Sequence, residues 1–225
     1  MAQNTPAQPA LNWTVVGQGA IGLLAACRLQ LAQVPVSLWL RQGLSIDTRY
    51  HNKTLRFTQA TGQLNAVLLP VKSYAVVDAV HQLLPHLSPD AQLVLSHNGM
   101  GTIEQVLPLL QPRQGLWFLT TTHGALKQGA TIVHTGKGES VMAPLNDAAQ
   151  AQAVQVFHAM DCALGPLTLA CDITPFLWQK LAINAAINPL TALHNCRNGE
   201  LAQAEFQLII TAVLEEVCQV ADAAG

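Results

Sequence analysis

Charge is the scarcest feature of this 225-residue sequence: Asp, Glu, Lys and Arg make up 11% of it, against about 25% in an ordinary soluble domain. With 11 basic and 13 acidic residues the formal net charge is -2. No basic footprint exists for gripping a nucleic-acid backbone over many phosphates. Long apolar runs are missing as well. Half of the residues are hydrophobic, yet Gln, Lys, Asn or Pro cuts each apolar stretch short of the roughly 18 residues needed to span a bilayer. The first ten residues, MAQNTPAQPA, have neither the basic start nor the apolar block of a signal peptide. They read as a flexible leader, and the compartment as the cytoplasm. The five cysteines, Cys27, Cys162, Cys171, Cys196 and Cys218, are odd in number and form no C-x-x-C, which argues against a disulfide frame and a zinc site. They are expected to be small buried hydrophobes. Histidine pairs at metal spacing, G-x-S-x-G and G-x-x-x-x-G-K-[ST] are all absent, so metal, serine-nucleophile and P-loop chemistry find little support. No fixed-period repeat is present, and none of the solenoid or propeller folds applies.

What is there is apolar material for a large core, arranged as strands alternating with helices. A short strand ends in Thr14, Val15 and Val16, runs into Gly17, and is followed by a helical stretch over residues 20–33 and a second strand over 36–40. That is one βαβ unit. Apolar runs at 66–69, 93–95 and 117–120 precede polar or glycine-containing turns, the pattern of buried parallel strands. Residues 131–134 and 140–142 read as further strands and 147–159 as a helix, with the sheet ending near Leu169. From Pro175 onward the strand signal ceases. The domains are thus expected at 11–170, a Rossmann-type nucleotide-binding domain, and 171–225, the incomplete start of an all-helical one. Thr174 is the expected N-cap of the first helix, with Pro175 at its first position. Little charge beside so much apolar area points to a partner-covered face, compatible with a homo-oligomer.

Gly17-Gln18-Gly19-Ala20-Ile21-Gly22 is G-x-G-x-x-G between a strand and a helix, the context that gives this short motif its meaning. Gly17 permits a tight turn, Gly19 lets backbone approach a pyrophosphate, and Gly22 lets the helix pack closely on the strand. The phosphates would meet the helix N-terminus, where free N–H groups and the dipole favour anions. At the end of the second strand, where NAD-preferring sites carry an acid, stand Leu40 and Arg41. Arginine suits a 2′-phosphate, so the cofactor is expected to be NADP(H). Lys72, after the third strand, is either a second cation near it or a solvated lysine.

Two further strand ends carry chemistry. His97-Asn98-Gly99-Met100-Gly101 falls at the carboxyl end of the sheet, where open α/β folds bind ligands, with Asn98 facing the cleft. Thr120-Thr121-Thr122-His123-Gly124-Ala125 ends the next strand with small residues. His123 is the acid–base candidate by residue type, although a single histidine at a strand end is more commonly a hydrogen-bonded structural residue. The sharper signal lies in the helix that starts at Pro175, where Lys180, Asn184 and Asn188 form the polar row among apolar residues. Steps of four place them on one face. The helix is expected to be buried, its polar row lining a wet cleft, and Pro189 to kink or end it. A desolvated Lys180 has a lowered pKa and can donate a proton, which reduction of a ketone by a reduced nicotinamide requires. Asn98, Asn184, Asn188 and Asn198 would hydrogen-bond the substrate's carboxylate and hydroxyl groups.

The segments GQGAIG, HNGMGTIE, TTTHGA and LWQKLAINAAINPLTALHNCRNGEL together resemble the ketopantoate reductase (2-dehydropantoate 2-reductase) family over residues 13–225. The resemblance implies a Rossmann domain followed by a helical domain like that of 6-phosphogluconate dehydrogenase. It implies NADPH-dependent reduction of 2-dehydropantoate to pantoate in pantothenate biosynthesis. Lys180 matches the family's general acid; Asn184, Asn188 and Asn198 match its substrate-contacting asparagines. Residues 17–22, Arg41, Lys72, Asn98 and Ala125 match cofactor-side positions, Asn98 lying near the substrate too. Family members continue through further helices carrying a substrate-binding serine and a ribose-contacting glutamate, so the 225 residues alone are expected to turn over weakly. The alternatives are a nucleotide-binding module without catalysis and a reductase of another branched 2-keto acid.

Overall fold

The structure, a computed structural model, describes residues 11–224; the expected leader, residues 1–10, lies outside them. The described chain divides into two compact units. One holds the residues up to His97 together with Gly101–Cys171, and the other Asn98–Met100 with the residues from Asp172 onward.

In the first unit β1 (Trp13–Val16) leads through the glycine turn into α1 (Ala20–Leu31) and β2 (Val36–Trp39). All four residues of β1 are buried, the unbroken apolar pattern of a strand covered on both faces. Then come β3 (Ser45–Tyr50), β4 (Lys53–Thr58), β5 (Leu64–Leu69), α2 (Val76–Leu83), β6 (Leu87–Leu95), α3 (Ile103–Val106) and β7 (Gly115–Thr121). After them run β8 (Gly124–Gln128), β9 (Thr131–Gly136), β10 (Ser140–Pro144), α4 (Asp147–Gln150), α5 (Ala153–Leu164) and β11 (Leu167–Leu169). Seven strands form one sheet in the order β11-β10-β7-β6-β5-β1-β2. Its stretch from β7 to β2 is parallel, and β10 runs antiparallel to β7. The chain leaves β1 for β2 on one side and later returns to β5 on the other. Strand order therefore reverses at β1, and open α/β sheets bind ligands beyond the carboxyl ends of the strands at such a point.

Of a second sheet, β4-β3-β9-β8, the sequence pattern announces only β9, and as part of the first sheet. In β3 the inward positions are Thr48 and Tyr50 and the outward ones Asp47 and Arg49, so a buried threonine hides the alternation that marks a half-buried strand. This sheet matters for α1. The helix packs on β1, β2 and α5 and also on β3, β8 and β9, which buries Leu23, Leu24, Ala25, Ala26, Cys27 and Leu29. A helix covered on so many sides shows no amphipathic stripe. Burial pushes the Cys27 thiol up to about 12, leaving it inert. The expectation of buried cysteines holds for Cys27 only. Cys162 and Cys196 are half-buried, while Cys171 and Cys218 are exposed.

In the second unit α6 (Thr174–His194) is followed by a 3-10 turn, Asn198–Ala202, and by α7 (Ala204–Ala224). Leu190, Leu201 and Phe206 form its buried centre, and His194 meets the Phe206 ring edge-on at 4.9 Å. Three expectations need correction. Thr174 is the first helical residue and not the N-cap, which is Ile173; the Asp172 carboxylate accepts the Thr174 N–H at 2.8 Å and does the capping. This bond holds the Asp172 carboxyl below its ordinary pKa. Pro189 does not end the helix, which continues to His194. A proline removes a single backbone donor and its fixed φ is itself helical, while Ala186 and Leu190 on either side are anchored by burial. The end comes at Asn195 in the left-handed conformation, φ 49° and ψ 42°, a common helix stop. Finally, α6 is only partly buried: Leu177, Ala186 and Leu190 are covered, whereas Ile183 and Leu193 are exposed. Within its own unit its main neighbours among the described residues are α7 and the 198–202 turn.

Candidate active site

The glycine turn sits at the end of β1. The Gly17 N–H donates to the Trp39 carbonyl at 3.0 Å, tying the turn to β2, and Gly17 has φ +86°, which side-chain-bearing residues rarely adopt. Gly19 is the N-cap of α1 and offers no capping side chain; a Cβ on it would have nothing closer than the Pro70 carbonyl oxygen at 3.9 Å. A methyl-sized space at Gly19 is therefore open on the protein side. Gly22 is different. A Cβ there would come within 2.8 Å of Pro70 Cγ and 3.2 Å of Val15 Cγ1, so this glycine is required for helix–strand packing. A bare helix N-terminus, a left-handed glycine and a side-chain-free approach together fit a pyrophosphate.

Arg41 stands exposed just past β2. Its loop is held by Gln59, whose Oε1 accepts the Leu40 N–H at 2.8 Å, and by the Gln59 N–H, which donates to the Leu44 carbonyl at 2.8 Å. Lys72, also exposed, lies past β5, its carbonyl accepting the Ala75 N–H at 2.9 Å. The two cations thus follow β2 and β5, the strands flanking β1. No carboxylate occupies the end of β2, where an NAD-type ribose contact would stand. Ala125 is half-buried in β8, opposite His134 of β9.

The two histidines at strand ends are structural. His97 is buried, its Nε2 2.8 Å from Thr102 Oγ1, and its ring meets Phe118 edge-on at 4.8 Å. His123 is buried too, with Nε2 3.0 Å from the Leu164 carbonyl, an acceptor only, so Nε2 carries the proton. Its Nδ1 then accepts from the Gly138 N–H at 3.1 Å and from His134 Nε2 at 2.9 Å. Its ring is thus held by three groups of the fold, the pattern of a hydrogen-bonded structural histidine. His134 is held below its ordinary pKa first by burial and then by the neighbouring His123 and Arg28. The unfolded chain therefore binds protons more readily than the folded one, so stability falls as pH drops below the ordinary histidine value through the lowered one. The melting temperature is expected to decline between pH 7 and pH 5, and His134→Asn to flatten that decline; a pH series of thermal melts reads it.

On α6 of the second unit, Lys180, Asn184 and Asn188 lie one turn apart. Lys180 and Asn184 are half-buried and Asn188 is exposed. Burial lowers the Lys180 ammonium from its ordinary pKa, the direction a proton donor working near neutrality needs. Asn198 is exposed at the start of the 3-10 turn, next to Arg197, whose N–H donates to Glu200 Oε2 at 2.8 Å. Asn98, exposed and followed by Gly99 at φ +110°, groups with this unit although it follows a strand of the first.

The family model of ketopantoate reductase PanE/ApbA matches residues 13–147, and that of its C-terminal part matches residues 172–225. The chain belongs to the ketopantoate reductase family. It is 40% identical to the 2-dehydropantoate 2-reductase of Vibrio cholerae, over 95% of this chain and 74% of that protein. With the enzyme of the same name from Yersinia pestis the identity is 34%, over 94% and 71%. Among solved structures, a probable 2-dehydropantoate 2-reductase from Bacillus subtilis superposes with a TM-score of 0.75 at 25% identity, over 94% of this chain and 76% of that one. The structural likeness covers both units.

Gln59, which holds the loop that carries Arg41 in this member of the ketopantoate reductase family, had no signal in the sequence, since one glutamine in a strand-end segment is unremarkable. Among the described residues no helix is long and apolar enough to cross a membrane.

Proposed function

We propose that this chain carries out the NADPH-dependent reduction of 2-dehydropantoate to (R)-pantoate, a cytoplasmic step of pantothenate and coenzyme A biosynthesis. Membership of the family, with relatives of that printed activity at 40% and 34% identity, is the observation that carries the reading. The bare glycine turn and the half-buried lysine of α6 support it. When bound, NADPH supplies the hydride. Residues 17–22 would hold the pyrophosphate, Arg41 the 2′-phosphate with Lys72 as a second cation near the cofactor, and Asn98 and Ala125 the nicotinamide half. Asn184, Asn188, Asn198 and Asn98 orient the keto acid through its carboxylate and hydroxyl. As the carbonyl carbon gains hydride, the Lys180 ammonium gives a proton to the carbonyl oxygen, the alcohol forms, and the amine is left neutral. The same cation stabilises the charge developing on that oxygen before the proton arrives.

The test is NADPH consumption with 2-dehydropantoate beside a panel of other branched 2-keto acids. Preference for 2-dehydropantoate supports the reading. Equal or better turnover of another keto acid reassigns the substrate, and NADPH binding without turnover of any of them leaves a nucleotide-binding module. A second measurement addresses the cofactor. Arg41→Ala is expected to weaken NADPH binding about tenfold, the scale of one charge-assisted phosphate contact, and to leave NADH binding unchanged in fluorescence titrations. Equal loss for both nucleotides would remove Arg41 from the 2′-phosphate.

A further inference from the structure

Lys127 is an exposed residue of β8, 109 positions away in sequence from the glycine turn, yet its ammonium donates to the Gln18 carbonyl at 3.2 Å. Strand alternation puts Lys127 on the same face as Ala125, and Ala125 packs on the core around α1. The second sheet, which lies against α1, thereby delivers a cation to the middle residue of the G-x-G. Gln18 immediately precedes the N-cap of α1.

A lysine in that place is electrostatically out of keeping with the helix alone. Helix N-termini carry partial positive charge and favour anions, while cations are favoured at the C-terminal end. The first turn of α1 contains no acidic side chain that would offset the ammonium. An ammonium has three N–H donors, so the bond to the Gln18 carbonyl places it beside the turn and leaves two donors for another acceptor. Two positive elements, the helix terminus and Lys127, converge on one turn that carries no side chain at Gly19. Arg41 and Lys72 belong to other strand ends, past β2 and β5.

We infer that Lys127 is a cofactor-contacting cation that binds the pyrophosphate, the part common to NADPH and NADH, from the side of the second sheet. This rests on the reading of residues 17–22 as the cofactor turn. It assigns to the β8–β9 hairpin a direct part in the site, which the glycine motif by itself does not contain.

The experiment is equilibrium titration of wild type, Lys127→Ala and Lys127→Arg with NADPH and with NADH, alongside thermal melts with and without nucleotide. Lys127→Ala is expected to weaken both nucleotides by the same factor, about tenfold, with Lys127→Arg recovering most of it. Without nucleotide, Lys127→Ala should melt no lower than wild type, and the stabilisation by added NADPH should shrink. Undiminished affinity for both nucleotides in Lys127→Ala overturns the assignment. So does a loss confined to NADPH, which would move Lys127 to the 2′-phosphate, or a lower melting temperature without nucleotide at undiminished affinity, which would make it a tether of the turn. Wild-type protein that binds neither nucleotide would bring down the cofactor reading itself, and this assignment with it.

Discussion

Lys180→Ala is expected to lower kcat for 2-dehydropantoate reduction by about 10²–10⁴-fold, the range supplied by a positioned general acid, with the dissociation constant of NADPH unchanged. The argument starts from the composition of α6. Lys180 stands in a helix whose neighbours are mostly apolar, and burial lowers its pKa, because removing water disfavours the charged form. A lysine at its ordinary value holds its proton too tightly to be an efficient donor near neutrality, and the lowered value brings it closer to its task. Lys180→Arg separates proton transfer from electrostatics. Guanidinium keeps the charge but does not release its proton in this pH range, so a variant that restored turnover fully would show the charge to be sufficient and the proton donor to lie elsewhere. The pH profile gives a third handle. Reduction needs the protonated amine, so the rate should fall as pH rises through the lowered lysine value, and this limb should vanish in Lys180→Ala. Equal rates for Lys180→Ala and wild type would dismiss the residue from the mechanism.

The second large effect separates two glycines of one motif. Gly19→Ala places a methyl where the backbone conformation, φ -70° and ψ 160°, accommodates any residue and where the nearest protein atom is 3.9 Å away. Folding stability should stay within a few tenths of a kcal/mol of wild type, the usual range for a substitution that meets no packed neighbour. NADPH affinity should nevertheless fall at least about tenfold, since one intruding methyl in a close contact costs roughly 1–3 kcal/mol. Gly22→Ala should do the reverse. Its methyl meets Pro70 Cγ at 2.8 Å and Val15 Cγ1 at 3.2 Å, a rigid ring and a buried strand residue, and overpacking of this kind costs about 1–3 kcal/mol of stability. Thermal melts and nucleotide titrations on both variants read the contrast. Unaltered NADPH binding by Gly19→Ala would mean that the pyrophosphate does not lie over this turn.

The legible parts of the molecule were those written in short-range spacing. A strand, G-x-G-x-x-G and a helix within twenty residues specify one another, because each glycine answers a local demand of backbone conformation or packing. The row of Lys180, Asn184 and Asn188 could be placed on one helix face from its steps of four alone. The burial of α6 could not be placed this way, since an apolar composition says that a surface needs covering and not which neighbours cover it. His123 shows the same limit from the other side. By residue type it is an acid–base candidate; the structure gives its ring the partners Gly138, His134 and Leu164, three groups that converge only after β8, β9 and α5 have packed.

From the order of its amino acids alone this protein declared an α/β unit followed by helices, a glycine-rich turn between strand and helix with an arginine at the end of the second strand, and the motifs of its family. These follow from periodicities and contacts within a few residues of chain. Tertiary structure alone decided the strand order that reverses at β1, the second sheet laid against α1, the Gln59 support of the Arg41 loop and the arrival of Lys127 at the glycine turn. Each depends on hydrogen bonds between segments far apart in sequence, and pairings of that kind are selected by the collective packing of the fold, for which no local pattern stands proxy.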